Sequence, residues 1–406
     1  MDALLLFSTR IIRLFCYGLL SVVLAIYLAA AGLTGPQIGL LFTCTLIGDA
    51  AISLWLTTSA DRVGRKRVLL CGAMLMTAAG ISFALTRDYT LLVIAAIVGV
   101  ISPSGNEIGP FLSVEQASLS QLVADERRTR LFAWYNLAGS FATALGALAG
   151  GWLARLLQAH GWAALESYRM VLAAYALGGL ALLVLFARLS PAIEASTALP
   201  SRDRPRILGL HRSRHVVFRL SGLFALDAFA GGLIVQSMLA YWFHLRFGAD
   251  IAVLGSVFFL ANLLAGISAL LAVRLASRIG LVNTMVFTHI PSNVLLICIP
   301  LMPTLPLAIG LLLLRFAISQ MDVPTRQSYT MAVVAPDERS AASGVTSIAR
   351  SLGASLSPAL AGLLFGAPAL LSVPFFISGT LKIVYDLLLY RDFRAVMPPE
   401  EEQKRS

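Results

Sequence analysis

Charge is the first thing this chain lacks. Asp, Glu, Lys and Arg make up only 13% of 406 residues, against 58% hydrophobic residues. A soluble domain carries about a quarter charged residues, so this chain cannot clothe a water-facing surface. Cysteine is scarce too. Cys16, Cys44, Cys71 and Cys298 each lie alone in an apolar run with no CxxC spacing, which removes a disulfide framework or a zinc site. No HExxH segment, no glycine-rich loop with a phosphate-binding lysine and no nucleophile beside a base is present. An enzyme, a resident cofactor or metal, and ATP-driven transport by this chain alone are therefore not expected. Alternating ten-residue strands are missing as well, which excludes a membrane barrel.

What remains is a series of apolar runs, each about the 20 residues needed to cross a bilayer as a helix. Twelve are read, near 11–31, 37–58, 68–86, 90–121, 131–157, 168–188, 217–244, 252–275, 283–302, 306–334, 341–366 and 370–390. Acids are outnumbered by bases, 21 to 31. The excess reflects topology and not nucleic acid. Arg62, Arg65, Lys66, Arg67, Arg127, Arg128 and Arg130 fall in loops on one side, with seven arginines of the stretch 188–219, whereas the other side holds only Arg87, Arg155, Arg169 and Arg246. The positive-inside rule places the richer side, and both termini, in the cytoplasm. Arg10 and Arg13 ahead of a full-length apolar run read as the flank of an uncleaved first span. The polar stretch 190–215, with Pro191, Pro200 and Pro205, divides a half at 1–189 from a half at 216–395, and 396–406 forms a cytoplasmic tail.

The halves match. Without gaps, Gly39, Phe42, Leu54, Arg62 and Gly64 fall on Gly255, Phe258, Leu270, Arg278 and Gly280. Asp125-Glu126-Arg127 falls on Asp337-Glu338-Arg339, and Ala147–Gly150 on Ala359–Gly362. Duplicated bundles rocking about a central site are a transporter architecture. The segment Ser59-Ala60-Asp61-Arg62-Val63-Gly64-Arg65-Lys66-Arg67 resembles the GxLaDRxGRR loop of the major facilitator superfamily, with Thr57 in place of the leading glycine and Ser277 in place of the acid in the second copy. The resemblance covers essentially the whole chain. It implies an all-α membrane protein with twelve transmembrane helices in two pseudo-twofold-related bundles. It also implies a gating loop of Asp61, Arg62, Gly64 and Arg65 that latches onto the start of span eleven. Gly139, Gly146, Gly150 and Gly151 in span five resemble the GPxxGG signature of proton-coupled exporters without its proline, and close helix packing explains them equally well.

Ionisable groups within spans are costly in lipid and mark function or pairing. Helix breakers recur at corresponding places, around Ser102–Pro110 in span four and Asp322-Val323-Pro324 in span ten, and such breaks point to a binding site. Candidate substrate or proton groups are Asn106, Glu107, Glu115, Asp227, Arg315, Asp322 and Arg326. Glu107 either serves the site or satisfies amides freed by the break. Arg315 either holds an anionic substrate group or is neutralised by Glu107, and Asp322 either serves the site or pairs with Arg326 one turn away. Depth along the spans predicts an interdomain contact between Asp49 and Arg350, and suggests Arg13 with Asp227 and Lys382 with Asp386. The expected function is secondary active transport of a small organic solute across the cytoplasmic (inner) membrane by a monomer using alternating access. Efflux coupled to proton entry is expected ahead of uptake or facilitated diffusion of an organic anion. A non-transporting sensor or scaffold is the reading from another class.

Overall fold

Hydrocarbon offers no hydrogen-bond partners, so apolar runs of this length must pair their backbone internally and become helices. A computed structural model of the protein describes residues 1–122, 125–194, 210–335 and 338–394. The tail 396–406 and most of the central linker lie outside the described residues. So do Asp337 and the side chains of Asp61, Asp125, Glu126 and Arg127.

The chain order is α1 (Asp2–Ala30), α2 (Gly35–Val63), α3 (Arg65–Leu85), α4 (Tyr89–Val98), α5 (Phe111–Leu122), α6 (Asp125–Ala159) and α7 (Ala164–Ala187). It continues with α8 (Arg214–Gly232), α9 (Gln236–Phe247), α10 (Ile251–Ile279), α11 (Leu281–Cys298), α12 (Leu305–Ser319), α13 (Asp322–Ala332), α14 (Arg339–Phe365) and α15 (Val373–Phe393). No strand occurs among the described residues. Among the described residues, eleven segments are long and apolar enough to cross a membrane, and Tyr89–Val98 is a shorter apolar helix. The chain divides into two compact units. One gathers the described residues of the first half with Val235–Leu263 and Ala361–Gly366; the other holds the remainder.

Local chemistry sets the ends. Thr34 starts α2 through a reciprocal box with Gln37, whose Oε1 accepts from the Thr34 N–H at 2.9 Å, and Pro36 occupies the first turn, where its missing N–H costs nothing. Asp88 caps α4 by accepting from the Leu91 amide at 2.9 Å. The repeat is visible in two joints. Gly64 between α2 and α3 has φ +107°, and its match Gly280 between α10 and α11 has φ +89°, a region that side chains with a Cβ rarely adopt.

In the first unit α1 is the central post, buried almost continuously from Leu14 to Leu28 apart from Phe15. It lies against α6 at van der Waals range of the backbone. A Cβ on Gly146 would sit 2.0 Å from the Phe15 carbonyl oxygen, one on Gly150 2.3 Å from that of Leu19, and one on Gly18 2.1 Å from that of Thr143. The span-five glycines are thus accounted for by packing. In the second unit α8, α11, α13 and α15 close around Phe224, Met285, Tyr329, Tyr385 and Leu389.

Three expectations about the spans change. Span one begins at Asp2, so Arg10 and Arg13 are not a flank but lie inside the helix, buried. Span four is not a kinked helix over 90–121. The chain leaves helical geometry after Val98 and resumes it only at Phe111. Span seven, expected to be continuous, is interrupted between Gly232 and Gln236; the break expected in span ten falls between Ser319 and Asp322.

Candidate functional site

An open stretch such as 99–110 exposes peptide groups that lipid cannot satisfy. Side chains and a neighbouring helix do so instead. The Asp49 carboxylate on α2 accepts from the Gly109 amide at 2.7 Å. The Ser102 hydroxyl donates to the Asn106 carbonyl at 2.8 Å, and the hydroxyls of Tyr17 and Tyr175 donate to the carbonyls of Ile108 and Val100. The Pro103 carbonyl accepts from the amide of Ser237, at the start of α9, at 3.1 Å. Asp49, rather than Glu107, is therefore the acid that satisfies the freed backbone. Gly105 and Gly109 supply the positive φ angles the stretch needs, +72° and +79°.

Glu107 faces arginines. Arg10 Nη1 lies 2.9 Å from its Oε2 and Arg13 Nε 2.7 Å from its Oε1. Arg13 also forks onto Glu115 with Nη1 at 2.8 Å and Nη2 at 2.7 Å. Thr9 donates to Glu115 at 2.9 Å, and the Tyr135 hydroxyl donates to its other oxygen. Phe111 lies under the Arg13 guanidinium and Tyr135 under that of Arg10, at 4.6 and 4.2 Å. Arg13 and Glu115 have no solvent exposure, whereas the Glu107 side chain keeps 13%. Two cations offset two anions, with lone pairs filled by neutral donors, which is the condition for tolerating buried charge. Asn106, in the same stretch, is exposed.

The second unit carries a network of inverted sense, with an acid on its leading span. Asp227 on α8 accepts from Lys382 Nζ at 2.6 Å on Oδ1, and from Arg326 and Arg350 at 3.2 and 3.3 Å on Oδ2. Arg326 also reaches Asp322 at 2.9 Å, as their one-turn spacing suggested. Lys382 does not pair with Asp386 one turn away. That acid accepts from His289 Nδ1 at 2.8 Å and from Asn293 at 3.1 Å. Arg13 and Asp227 are likewise each satisfied within their own unit. Asp49 and Arg350, expected to meet one another, have the partners given above, with Ser53 also donating to Asp49 at 3.2 Å.

Arg315 stands apart. It forms no ion pair among the described residues. Its Nε and the hydroxyl of Ser319, one turn on, are both enclosed without a hydrogen-bond partner, and the guanidinium lies 5.3 Å from the Phe316 ring.

In the loop after α2, Arg62 is exposed and Arg65 is buried, donating to the Ile193 carbonyl at 3.3 Å. Lys66 Nζ closes the C-terminal end of α7 by donating to the carbonyls of Ala187 and Leu189 at 2.8 and 2.7 Å, where a cation also complements the helix dipole. The amides of Arg65 and Lys66 donate to Glu194 at 2.6 and 3.2 Å. Glu338 performs the same service for the start of α8, accepting from the amides of Arg212 and Ser213 at 2.8 Å each and from the amide and ring of His211.

Reasoning from sequence missed Arg10, Tyr135 and His289 as members of these networks, and gave Arg13 another partner than Glu107 and Glu115. A signal existed. Arg10, Arg13 and Tyr17 share one helical face once span one is extended to its observed start, and His289 is a titratable residue in the middle of an apolar run.

Interrupted spans around internal ion networks define a polytopic carrier-type membrane protein. The family model for the Major Facilitator Superfamily matches residues 6–358 and 246–405, and the chain belongs to that superfamily. An uncharacterized membrane protein of Saccharomyces cerevisiae, YJR124C, is 32% identical over 96% of this chain and 93% of its own length. The quinolone resistance protein NorA of Staphylococcus aureus is 24% identical over 34% of each chain. Among solved structures, a mutant form of the nucleoside transporter NupG aligns over 97% of this chain and 100% of its own, with a TM-score of 0.79 and 15% identity. A D-xylose-proton symporter aligns over 96% and 97%, with a TM-score of 0.73 and 16% identity. At these identities the structures speak for the fold.

Proposed function

We propose that the protein is a secondary transporter of small organic anions, working by alternating access with protons as the coupling ion. The observation that carries this reading is Arg315, a guanidinium within a membrane span that lacks an ion pair among the described residues while its neighbour Ser319 is also unpartnered. A cation held in a low-dielectric site without a fixed counter-ion recruits one from solution. Every other arginine described inside the two networks already has a carboxylate. Efflux drew its support from the span-five glycines, which helix packing explains, and the NorA likeness covers a third of the chain. The orientation this reading adopts has both termini in the cytoplasm, following the loop arginines.

The test is uptake into proteoliposomes of labelled mono- and dicarboxylates under an imposed pH gradient, with a labelled sugar and a labelled nucleoside for comparison. Carboxylates should move and the neutral solutes should not. Arg315→Gln should lower apparent affinity about 10- to 100-fold, the equivalent of a lost charge-assisted hydrogen bond, with Arg315→Lys between the two. Carboxylate transport that survives Arg315→Gln unchanged removes the proposal.

A further inference from the structure

The second unit contains a titratable group that the carrier reading leaves without a task. His289 lies in the interior of α11 and is 4% exposed. Its Nδ1 is 2.8 Å from Asp386 Oδ1, whose other oxygen accepts from Asn293 at 3.1 Å. A carboxylate acceptor at Nδ1 fixes the ring tautomer: the N–H is at Nδ1 and the lone pair at Nε2. That lone pair lies near an acid: Nε2 is 4.0 Å from Asp227 Oδ1. Two acceptors facing one another without a proton between them make an incomplete contact. Lys382 Nζ occupies the same Oδ1 at 2.6 Å.

We infer that His289 is a proton-binding site of the second bundle, and that a proton taken up at Nε2 competes with Lys382 for Asp227 Oδ1. The proton comes from water and forms an N–H bond on Nε2. The resulting imidazolium donates to Asp227 while keeping its Nδ1–H on Asp386, and Lys382 remains an ammonium.

The charged and titratable surroundings decide what such a proton does. Asp386, Lys382 and Tyr385 face the ring from α15, Asp227 from α8, and behind Asp227 stand Arg326 and Asp322 of α13 and Arg350 of α14. Arg315 lies on α12, which also packs against α11. Asp227, Asp322 and Asp386 offset Arg326, Arg350 and Lys382, so the cluster is neutral while His289 is neutral. Protonation leaves it one charge positive, and with Arg315 it then favours an anion. Coupling is reciprocal, so a bound anion strengthens proton binding in turn. Of the cations on Asp227, Arg350, on Oδ2, is the most open, with 35% side-chain exposure; the added positive charge at Oδ1 weakens its hold on the carboxylate and frees it towards an anion. Proton and anion then travel in the same direction. This part rests on the carrier reading, whereas the proton site does not.

The experiment separates the two. The protein has five histidines, so histidine-labelled protein in nanodiscs gives a short set of ring resonances, and His289→Gln identifies one by its loss. That resonance is followed between about pH 5 and 8, where a histidine ring can change charge, and should move with pH. In Lys382→Met, which removes the competitor and leaves Arg326 and Arg350 on Asp227, its midpoint should rise by about one pH unit, a tenfold gain in proton affinity. In Asp386→Asn it should fall. A His289 resonance that stays constant over this range, or a midpoint unmoved in both variants, overturns the site. In proteoliposomes a gradient of one pH unit can sustain about tenfold accumulation of an anion with one coupled proton. His289→Gln should reduce that ratio towards one and flatten the pH dependence of the initial rate, and accumulation undiminished in His289→Gln also overturns it. Wild-type liposomes that move no carboxylate, beside a His289 that titrates as described, reject the anion carrier and retain the proton site.

Discussion

At the residue scale, the consequences of burial differ between the core and the rim. Arg13 and Glu115 are sealed from solvent and joined by a two-pronged contact. Removing one partner of such a pair strands the other, a loss of about 3–5 kcal/mol. Glu115→Gln should therefore cost far more in thermal stability than Glu166→Gln, whose ion pair with Arg169 is half exposed. Equal losses in a melting assay would contradict the network. Glu338 lies ahead of α14, with no solvent-exposed surface. Burial alone would raise its pKa, but the His211 ring and amide and the Ser213 side chain and amide outweigh it and hold the carboxyl well below the ordinary carboxylate range. A group whose folded pKa is depressed contributes stability that is full above its unfolded value and lost as pH falls through the folded one. The stability gap between wild type and Glu338→Gln should thus be constant near neutrality, begin to close below about pH 4.3, and vanish in stronger acid. A gap that widened on acidification would show that Glu338 does not act as the ionised cap.

Elements show where one sequence is informative. Helices were legible because length and apolarity alone decide them in lipid, and the duplicated joints at Gly64 and Gly280 were legible because a positive φ demands a particular residue. Breaks were only half legible. Pro103, Gly105, Gly109 and Pro110 announced that span four is disturbed, but how far the chain opens depends on distant groups such as Asp49 and Ser237 that take over the freed backbone bonds. Asp49→Ala leaves the Gly109 amide unsatisfied, so hydrogen exchange across 99–110 should speed up while α1 and α6 stay protected. Uniform loss of protection would point instead to global destabilisation. The α1–α6 contact makes the opposite kind of demand. Gly146→Leu drives a side chain into the Phe15 carbonyl, and overpacking of this kind costs about 1–3 kcal/mol. Gly222, with open space where a Cβ would stand, should accept Ala with little change in melting temperature, and similar losses at both positions would refute the close-packing account.

For the whole molecule, pairing was the hardest thing to foresee. Depth along a helix gave Asp49, Arg350, Arg13 and Asp227 sensible heights, but height does not say which face a side chain presents, and each has its described partners within its own unit. The halves share a backbone plan and differ in charge sense: arginines lead in span one and meet acids near the span-four break, whereas an acid leads in span seven and meets cations of spans ten, eleven and twelve. Arg13 and Asp227, at matching places in spans one and seven, carry opposite charges, so a repeat found by identity cannot predict partners. Orientation is a different matter, because it depends on loop arginines and not on packing. With the loop at 62–67 and the stretch 188–219 rich in arginine, and the turn around His160 poor in it, a cysteine replacing Arg67 should react with a membrane-impermeant maleimide only after cells are permeabilised. One replacing Gly161, where nothing crowds the added side chain, should react in intact cells despite the strain of its positive φ. The reverse pattern would overturn the assignment of the arginine-rich loops to the cytoplasm.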